Sequence, residues 1–382
     1  MLKFLTACLL MLLTITAASA ASAPLPAPPE IPAKGYVLLD AFSGRILVGH
    51  NDTERLEPAS LTKLMTSYVV FHALHDHKLS LDQTATISEH AWRAGGAVSD
   101  GSTSYMPLGS QVKVEDLIQG MIVQSGNDAT IALAEKIAGT EATFTVLMNQ
   151  YSERLGLKGS HWNNTAGLPD PQHYTTARDV AILGAGLVRE FPEYYKWFSQ
   201  RSFTFNKITQ HNRNGLLDRD PTVDGIKTGH TEAAGYCLAS SALRDGMRLV
   251  AVVMGSASTK AREDASETLL GYGFNFFETK RLYTAGQHVG VATVWKTSEP
   301  VQVALHGEVF ATGQRGELAN AKGKLQLNPR LIAPLAANVE IGRLHVTLGD
   351  TLLADLPVYP ATAVEAGNIF RRAIDTVRLW FN

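Results

Sequence analysis

The sequence predicts an α+β domain, or a three-layer domain, over residues 35–275. A small β-sandwich domain over residues 280–360 and a C-terminal amphipathic helix follow it. Strand-like runs stand at both ends of the first region and enclose a helical middle, which is the pattern of an α+β fold. Beyond Lys280, short alternating runs punctuated by glycine and proline replace the helical pattern, and this favours a sandwich.

Length and composition set the class of protein. The chain has 382 residues, of which 45% are hydrophobic and 18% charged, so it is long enough for two compact domains of ordinary globular composition. The formal net charge is −2, and basic residues are not concentrated in the first domain. This charge argues against nucleic acid as a partner.

The N-terminal residues 1–20 have the features of a cleaved secretory signal. Lys3 precedes an apolar run at 9–13, and small residues lead up to Ala20, after which we expect cleavage. Cys8 stands ahead of most of the apolar run and therefore does not suit lipid attachment. We expect an exported protein.

Residues 21–34 carry five prolines, which predicts an extended, exposed tether.

Once the signal is removed, Cys237 is the one cysteine that remains, so no internal disulfide can form. Its setting in a strand-like run predicts a buried thiol.

Within the first domain, residues 36–48 predict a strand–turn–strand hairpin. Apolar residues at helical spacing from Leu61 to Val69 predict a helix with Ser60 at its N-terminus. The remaining expected segments are helices at 114–150 and 177–188, and strands at 225–227, 236–240, 249–254, 289–295, 301–305, 309–312, 325–327, 341–348 and 352–359.

The last segment, residues 366–382, predicts an amphipathic helix. Arginines occupy one side of it, and the apolar side consists of Ile369, Phe370, Ala373, Ile374, Val377, Trp380 and Phe381. Aromatic and apolar residues opposite arginines are typical of a helix that lies in a membrane interface, and packing on the β-domain is the alternative. The segment is too short and too charged to span a bilayer.

Three short motifs carry the chemistry: Ser60–Lys63, Ser125–Asn127 and Lys227–Gly229. Each alone also suits a helix cap or a turn. Together, in this order and with wide spacing, they supply a nucleophile, a base, a second hydroxyl and a cationic strand, which is what acyl transfer requires.

The first motif pairs a nucleophile with its base. Residues three apart share a helix face, so the amine of Lys63 can lie beside the Ser60 hydroxyl, at a helix N-terminus that favours developing negative charge. For Lys63 to accept a proton near neutral pH, its pKa must fall, which burial and a nearby cation such as Lys227 would accomplish.

The other two motifs are expected to handle the substrate. Ser125 can relay a proton to the leaving amine, and Asn127 can hydrogen-bond a substrate amide. Lys227 and Thr228 offer charge and a hydroxyl to a carboxylate, and Gly229 lets a substrate backbone lie against the strand edge.

With their flanking residues, the motifs resemble those of the serine penicillin-binding proteins, in particular the low-molecular-mass D-alanyl-D-alanine carboxypeptidases of peptidase family S11. The resemblance covers nearly the whole mature chain and implies a β-lactamase/transpeptidase-like first domain. It implies removal of the terminal D-alanine from peptidoglycan pentapeptide through an acyl-enzyme on Ser60. It further implies covalent inhibition by β-lactams and a place at the periplasmic face of the bacterial inner membrane, reached through the terminal helix.

The resemblance also assigns residues. It implies an oxyanion hole formed by the backbone N–H groups of Ser60 and His230, which is a general way to stabilise developing charge. Arg262 matches an arginine that helps hold the substrate carboxylate near Thr228, and Arg213 matches a further one. Residues 161–179 resemble the loop that borders the cleft.

Four rival functions remain to be weighed. A class A β-lactamase would need a glutamate followed four residues later by asparagine between the second and third motifs, and the sequence has none there. An endopeptidase acting on cross-linked peptides shares all three motifs. A wall-binding scaffold is disfavoured by the intact Ser60/Lys63 pair. A metal enzyme could use His72, His75 and His77, which we interpret instead as a solvated helix end; we expect no metal or cofactor.

Overall fold

The computed structural model describes residues 25–97 and 101–379. The predicted signal peptide, and Trp380 and Phe381 of the terminal helix, lie outside the described residues. The helices are α1 (Thr62–His75), α2 (Glu89–Trp92), α3 (Val114–Gln119), α4 (Asn127–Ala138), α5 (Glu141–Leu155), α6 (Ala177–Glu190), α7 (Pro192–Tyr195), α8 (Leu216–Arg219), α9 (Thr259–Phe276) and α10 (Ile369–Arg378).

The strands of the first domain are β1 (Gly35–Asp40), β2 (Ile46–His50), β3 (Thr84–Thr86), β4 (Gln111–Lys113), β5 (Ser202–Phe205), β6 (Ile208–His211), β7 (Val223–Thr231), β8 (Gly235–Arg244) and β9 (Met247–Ser256). Those that follow are β10 (Phe277–Tyr283), β11 (His288–Ala292), β12 (Val301–Ala304), β13 (Val309–Gln314), β14 (Lys322–Leu327), β15 (Gly342–Leu348) and β16 (Thr351–Pro360).

A five-stranded antiparallel sheet, in the order β2-β1-β9-β8-β7, forms the middle layer of the first domain. Side chains of a strand alternate between the two faces of its sheet. Val37 and Leu39 of β1 therefore join the larger core with α1 and α3–α6, whereas Leu38 joins a second core with α9. The sheet thus lies between two helical layers, and both the predicted hairpin and the α+β class are confirmed.

Helix α1 runs through the larger core and is buried on nearly every side, because other helices surround it. The helical region predicted at 114–150 is three helices, α3, α4 and α5. It is broken at Ser125, which has a φ of 68°, and at Gly139, which has a φ of 81°. These left-handed positions turn the chain, and the first of them places Ser125 at the cleft.

The leader is predicted to be an extended, exposed tether, and its described part, residues 25–34, is extended and mostly exposed. Two contacts hold it to the first domain: Ile31 is buried against the second core, and the Tyr272 hydroxyl donates to the Pro26 carbonyl at 3.0 Å. Apolar residues among the prolines give this segment a surface to pack on.

Strands β10–β16 form the second domain around their own apolar core. Its five-stranded sheet has the order β11-β12-β16-β15-β14, and β10 pairs with β13. The predicted strands are confirmed in position, but β10 was not expected, because Lys280 and Arg281 interrupt its apolar pattern. This strand begins directly after α9, so the two domains follow one another without a linker.

Candidate active site

The proposed nucleophile lies in a tight turn ahead of α1. Residues Ala59–Leu61 form a 3-10 turn, and Ser60 is half-buried at the wall of a cleft of about 290 Å³. This confirms the expected place at a helix N-terminus. The cleft is lined by Ser60, Ser102, Ser125, Arg213, Thr228, Gly229, His230, Tyr236, Thr259 and Arg262.

The amine of Lys63 is buried beside the hydroxyl of Ser60, with 3.0 Å between Nζ and Oγ. The same nitrogen lies 2.8 Å from Asn127 Oδ1 and 2.8 Å from the Ala166 carbonyl oxygen. A neutral amine has two N–H donors and one lone pair. If the donors serve the two carbonyl oxygens, the lone pair is left for the Ser60 proton, which is the arrangement of a general base.

The pKa of Lys63 is lowered to about 7, first by burial and then by the positive charge of Arg213, while the carboxylates of Asp128 and Glu141 oppose the shift. Burial also lowers the pKa of Lys227 well below its usual value, and the charge of Lys63 adds to this. Burial and a nearby cation thus lower the pKa of Lys63 as expected, but the cation is Arg213, where the sequence suggested Lys227.

Ser125 presents a hydroxyl to the cleft. Its left-handed backbone joins a π-helical turn to the start of α4, and its side chain is 2% exposed. Among the described residues its Oγ has no hydrogen-bond partner. Buried polar groups without a partner are rare and mark functional sites, so this hydroxyl is free to meet a reacting group.

Asn127 orients the lysine. Its Oδ1 accepts from Lys63, and its Nδ2 donates to the Ala94 carbonyl at 3.1 Å. Asn127 is buried and is not among the described residues that line the cleft, so its expected contact with a substrate amide stays a prediction. Next to it, Asp128 was missed by the sequence reading. Its carboxylate accepts from the backbone of Ser104 at 2.9 Å and of Met106 at 3.0 Å, and so fixes the loop at the cleft mouth.

The third motif lies on β7, which is an edge strand of the central sheet. Lys227 and Thr228 are buried, and the Lys227 amine contacts the Thr228 carbonyl at 3.4 Å. Gly229 packs against the nucleophile turn, where an added Cβ would lie 3.2 Å from the Ser60 nitrogen. His230 is exposed, and the centre of its ring lies 4.0 Å from the centre of the Tyr236 ring.

Two arginines border the cleft. Arg262 on α9 is 5% exposed and donates to the carbonyls of Gly229 at 3.2 Å and Cys237 at 3.3 Å. Arg213 is exposed and donates to Ser102 Oγ at 3.0 Å. The structure thus brings together every predicted site residue.

Cys237 is buried in β8 as expected, and burial raises the pKa of its thiol to about 11.

The loop at 161–176 reaches the base of the site, which sequence spacing alone did not show. Its Ala166 carbonyl accepts from Lys63, and the neighbouring Thr165 is held by Glu141, whose Oε1 accepts from the Thr165 N–H at 2.9 Å and hydroxyl at 2.7 Å. The other oxygen of Glu141 contacts His90 at 2.7 Å. Glu141 thus shapes the loop that positions the lysine.

Of the three histidines weighed as metal ligands, His72 and His75 lie in the last turn of α1 and His77 follows it. His72 stacks on Tyr151 with ring centres 4.5 Å apart, and the described residues contain no group of three or more side chains suited to a metal. Within residues 25–97 and 101–379, none of the helices is long and apolar enough to cross a membrane.

Two family models match the chain. A model described as D-alanyl-D-alanine carboxypeptidase matches residues 19–258, and one described as penicillin-binding protein 5, C-terminal domain, matches residues 277–366. The first covers residues 35–258 of the predicted catalytic domain, and the second covers the β-domain.

Curated relatives are similar over most of their length. The D-alanyl-D-alanine carboxypeptidase DacA of Escherichia coli K12 is 40% identical over 94% of this chain and 90% of its own. The DacA of Haemophilus influenzae is 43% identical over 91% of this chain and 89% of its own. Among solved structures, penicillin binding protein 5 from Haemophilus influenzae shares 42% identity with a TM-score of 0.83, covering 90% of this chain and 100% of that one.

Proposed function

This chain belongs to the D-alanyl-D-alanine carboxypeptidase family, and we propose that it removes the terminal D-alanine from peptidoglycan stem peptides through an acyl-enzyme on Ser60. The observation that carries the proposal is the buried Lys63 amine, 3.0 Å from the Ser60 hydroxyl and with its pKa lowered to about 7. A lysine with this pKa is partly neutral at neutral pH and can act as a base.

In the first step the Ser60 oxygen attacks the carbonyl carbon between the two terminal D-alanines, and its proton passes to the Lys63 amine. The carbonyl oxygen becomes an oxyanion, which the N–H groups of Ser60 and His230 stabilise. The substrate backbone extends along the edge strand β7. Its terminal carboxylate meets Thr228, the positive charges of Arg213 and Arg262, and the amine of Lys227.

The tetrahedral intermediate collapses when the bond to the leaving nitrogen breaks. Ser125 donates its proton to that nitrogen and takes one from Lys63, so D-alanine leaves as a neutral amine and Lys63 becomes neutral again. Water then attacks the ester and gives a proton to Lys63. As the ester bond breaks, that proton returns to the Ser60 oxygen and the enzyme is restored.

β-Lactams would enter the same first step. Attack on the ring amide forms an ester with Ser60, but the leaving nitrogen stays attached to the acyl group and blocks the water. Between the second and third motifs the chain has no glutamate followed four residues later by asparagine, the pair that activates the deacylating water in class A β-lactamases. The adduct is therefore expected to be long-lived.

The proposed place of action is the outer face of the inner membrane. The N-terminal signal supports export. On α10 an apolar side is exposed to solvent, with Ile369 at 73%, Phe370 at 77%, Ile374 at 51% and Val377 at 53%. Exposed apolar side chains on an amphipathic helix suit the interface of a lipid bilayer.

The test is D-alanine release from a pentapeptide ending in D-Ala-D-Ala, measured with the mature protein and with Ser60→Ala, together with the protein mass after penicillin. We expect release and a penicillin adduct in the wild type and neither in the variant. An adduct without release would redirect the proposal to cross-linked peptides. Absence of both in a folded wild type would contradict it.

A further inference from the structure

A buried histidine lies beneath the nucleophile turn, away from the cleft. His173 is 2% exposed and packs its ring edge-to-face with Trp162, at 5.7 Å between ring centres. Its Nδ1 lies 2.9 Å from the backbone nitrogen of Asn163, and its Nε2 lies 2.7 Å from Thr62 Oγ1. Both ring nitrogens are therefore hydrogen-bonded.

These contacts determine where the ring proton lies. A backbone N–H can only donate, so Nδ1 of His173 must accept, and the neutral ring then carries its proton on Nε2. Nε2 donates to the hydroxyl of Thr62, and that hydroxyl donates to the Ala59 carbonyl at 2.8 Å. Burial lowers the pKa of His173 to about 4, so this chain of hydrogen bonds is intact at neutral pH.

The last hydrogen bond of this series, from Thr62 to the Ala59 carbonyl, holds a peptide group that includes the Ser60 nitrogen. The carbonyl of Ala59 and the N–H of Ser60 belong to one planar peptide unit, so fixing the oxygen fixes the direction of the N–H. Ala59 has a φ of 46°, an uncommon conformation for a residue with a side chain. Such a conformation persists when its surroundings hold it.

Neighbouring backbone restrains the Ala59–Ser60 peptide unit on the side of the Ala59 carbonyl. Gly167 passes so close that an added Cβ would lie 1.8 Å from the Ala59 oxygen. On the opposite side Gly229 packs against the Ser60 nitrogen. The peptide unit is thus held between the loop and β7. The Ala59 carbonyl accepts from both the backbone N–H and the hydroxyl of Thr62, and the hydroxyl is the side-chain donor of the two.

We propose that Thr62 and His173 are positioning residues that aim the Ser60 N–H into the oxyanion hole, with His173 acting through Thr62. The inference rests on the proposed function, because it needs Ser60 to pass through a tetrahedral intermediate. Neither side chain lines the cleft as the described residues form it, so neither is expected to touch the substrate. Their effect should fall on the transition state and spare substrate binding.

The experiment compares Thr62→Val, His173→Phe and the double variant with Thr62→Ser, which keeps the hydroxyl. The measurements are the second-order rate constant for acylation by a fluorescent penicillin, kcat and KM on the pentapeptide, and Ki for a peptide boronic acid that forms a tetrahedral adduct on Ser60. Removal of a whole oxyanion donor costs about 10²–10³ in kcat. We expect losses of about tenfold or more from misdirecting one.

The expected pattern is specific. Acylation and kcat fall in Thr62→Val and His173→Phe, the boronic acid binds more weakly, KM changes little, and the double variant is no worse than the more damaged single variant. Thr62→Ser retains activity near the wild type. The matched control is Thr145→Val, since Thr145 on α5 also donates a buried hydroxyl to the carbonyl three residues earlier, at 2.8 Å, but has no histidine bonded to it.

Several outcomes would overturn the proposal: a folded Thr62→Val that acylates at the wild-type rate, losses that simply add in the double variant, or an equal loss in Thr145→Val. If His173→Phe does not fold, the comparison of Thr62→Val with Thr62→Ser decides alone. A wild type that forms no penicillin adduct would instead contradict the proposed function, so the two failures are distinguishable.

Discussion

The hydrogen-bond partners of the Lys63 amine, namely Ser60, Asn127 and the Ala166 carbonyl, are all uncharged. None of them compensates the cost of burying a positive charge, which is why the pKa falls. Since the amine must be neutral to accept a proton, acylation by penicillin should rise with pH up to about 7 and level off above it. The measurement is the acylation rate constant from pH 5 to pH 9.

The charge of Arg213 contributes to this shift. Arg213→Gln removes a repulsion that disfavours protonated Lys63, so the pKa rises and the midpoint of the profile moves to higher pH. The midpoint separates this effect from any loss of substrate binding. Arg201→Gln is the matched control, because Arg201 is exposed and paired with Asp218. An unchanged midpoint in Arg213→Gln would contradict the electrostatic account.

At the residue scale, the sequence predicts contacts between residues that are close together in the chain. Ser60 and Lys63 are one helical turn apart, so their contact follows from spacing. Asp128, Glu141 and His173 were not predicted in their roles, because each acts through hydrogen bonds to residues distant in the chain and resembles an ordinary polar residue in sequence. For Asp128 a signal existed, since it directly follows Asn127 at the start of a helix.

At the scale of elements, the contact between β7 and the nucleophile turn decides whether the cleft is aligned. In Gly229→Ala the new Cβ would meet the Pro58 carbonyl oxygen at 3.0 Å and the Ser60 nitrogen at 3.2 Å, both of them backbone atoms. Backbone yields less readily than a side chain. We therefore expect about a tenfold slower acylation and a loss of about 1–3 kcal/mol in the free energy of unfolding.

The matched control for Gly229→Ala is Gly271→Ala on α9, where nothing lies within 4 Å of the added Cβ. Alanine favours a helix over glycine by about 0.8–1.0 kcal/mol, so this variant should be slightly more stable and fully active. Penicillin acylation and urea unfolding check both variants. Equal acylation rates and equal unfolding free energies in the two variants would mean that close packing of β7 on the nucleophile turn is not needed.

The elements that sequence predicted well are those whose burial is regular. β1 and β9 are central strands with continuous apolar runs, and α1 shows helical spacing. The missed strand β10 pairs with β13 alone and exposes Lys280 and Arg281. Its strand character comes from pairing with a segment thirty residues away, which no local pattern encodes.

At the scale of the whole molecule, a polar network joins the two domains. Asp40 at the end of β1 is fully buried, and its carboxylate accepts from Ser43 at 2.8 Å and from Thr279 of β10 at 2.7 Å. Both hydroxyls contact Thr312 of β13, at 2.6 Å and 2.8 Å. With β10 following α9 directly, this network gives the β-domain a defined orientation to the catalytic domain.

The far end of the β-domain holds α10. Asp375 on this helix is buried and accepts from the backbone nitrogen of Lys296 at 2.8 Å, while Phe370 and Ile374 are exposed. The sequence pattern is compatible with two placements, a helix in the membrane interface and a helix packed on the β-domain. One side of α10 contacts the β-domain through Asp375. The apolar side faces outward, and its place in a membrane interface stays a prediction.

This arrangement makes membrane binding testable with the whole protein. Phe370→Asp/Ile374→Asp replaces two exposed apolar side chains by charges, and we expect it to lose most of its sedimentation with anionic vesicles, because apolar burial in the interface is lost and the new charges are repelled. Leu352→Asp is the matched control, since Leu352 on β16 is 55% exposed but outside the helix. D-alanine release from a soluble pentapeptide should be unchanged in every variant.

The arginines of α10 contribute separately. Arg372→Glu/Arg378→Glu should reduce binding to anionic vesicles and leave binding to neutral vesicles nearly unchanged, because their attraction to the surface is electrostatic and worth about 1 kcal/mol for each residue. Raising the salt concentration should weaken the wild type in the same way. If the aspartate pair on the apolar side and the wild type sediment equally, the helix does not insert, and its outward side must serve a different contact.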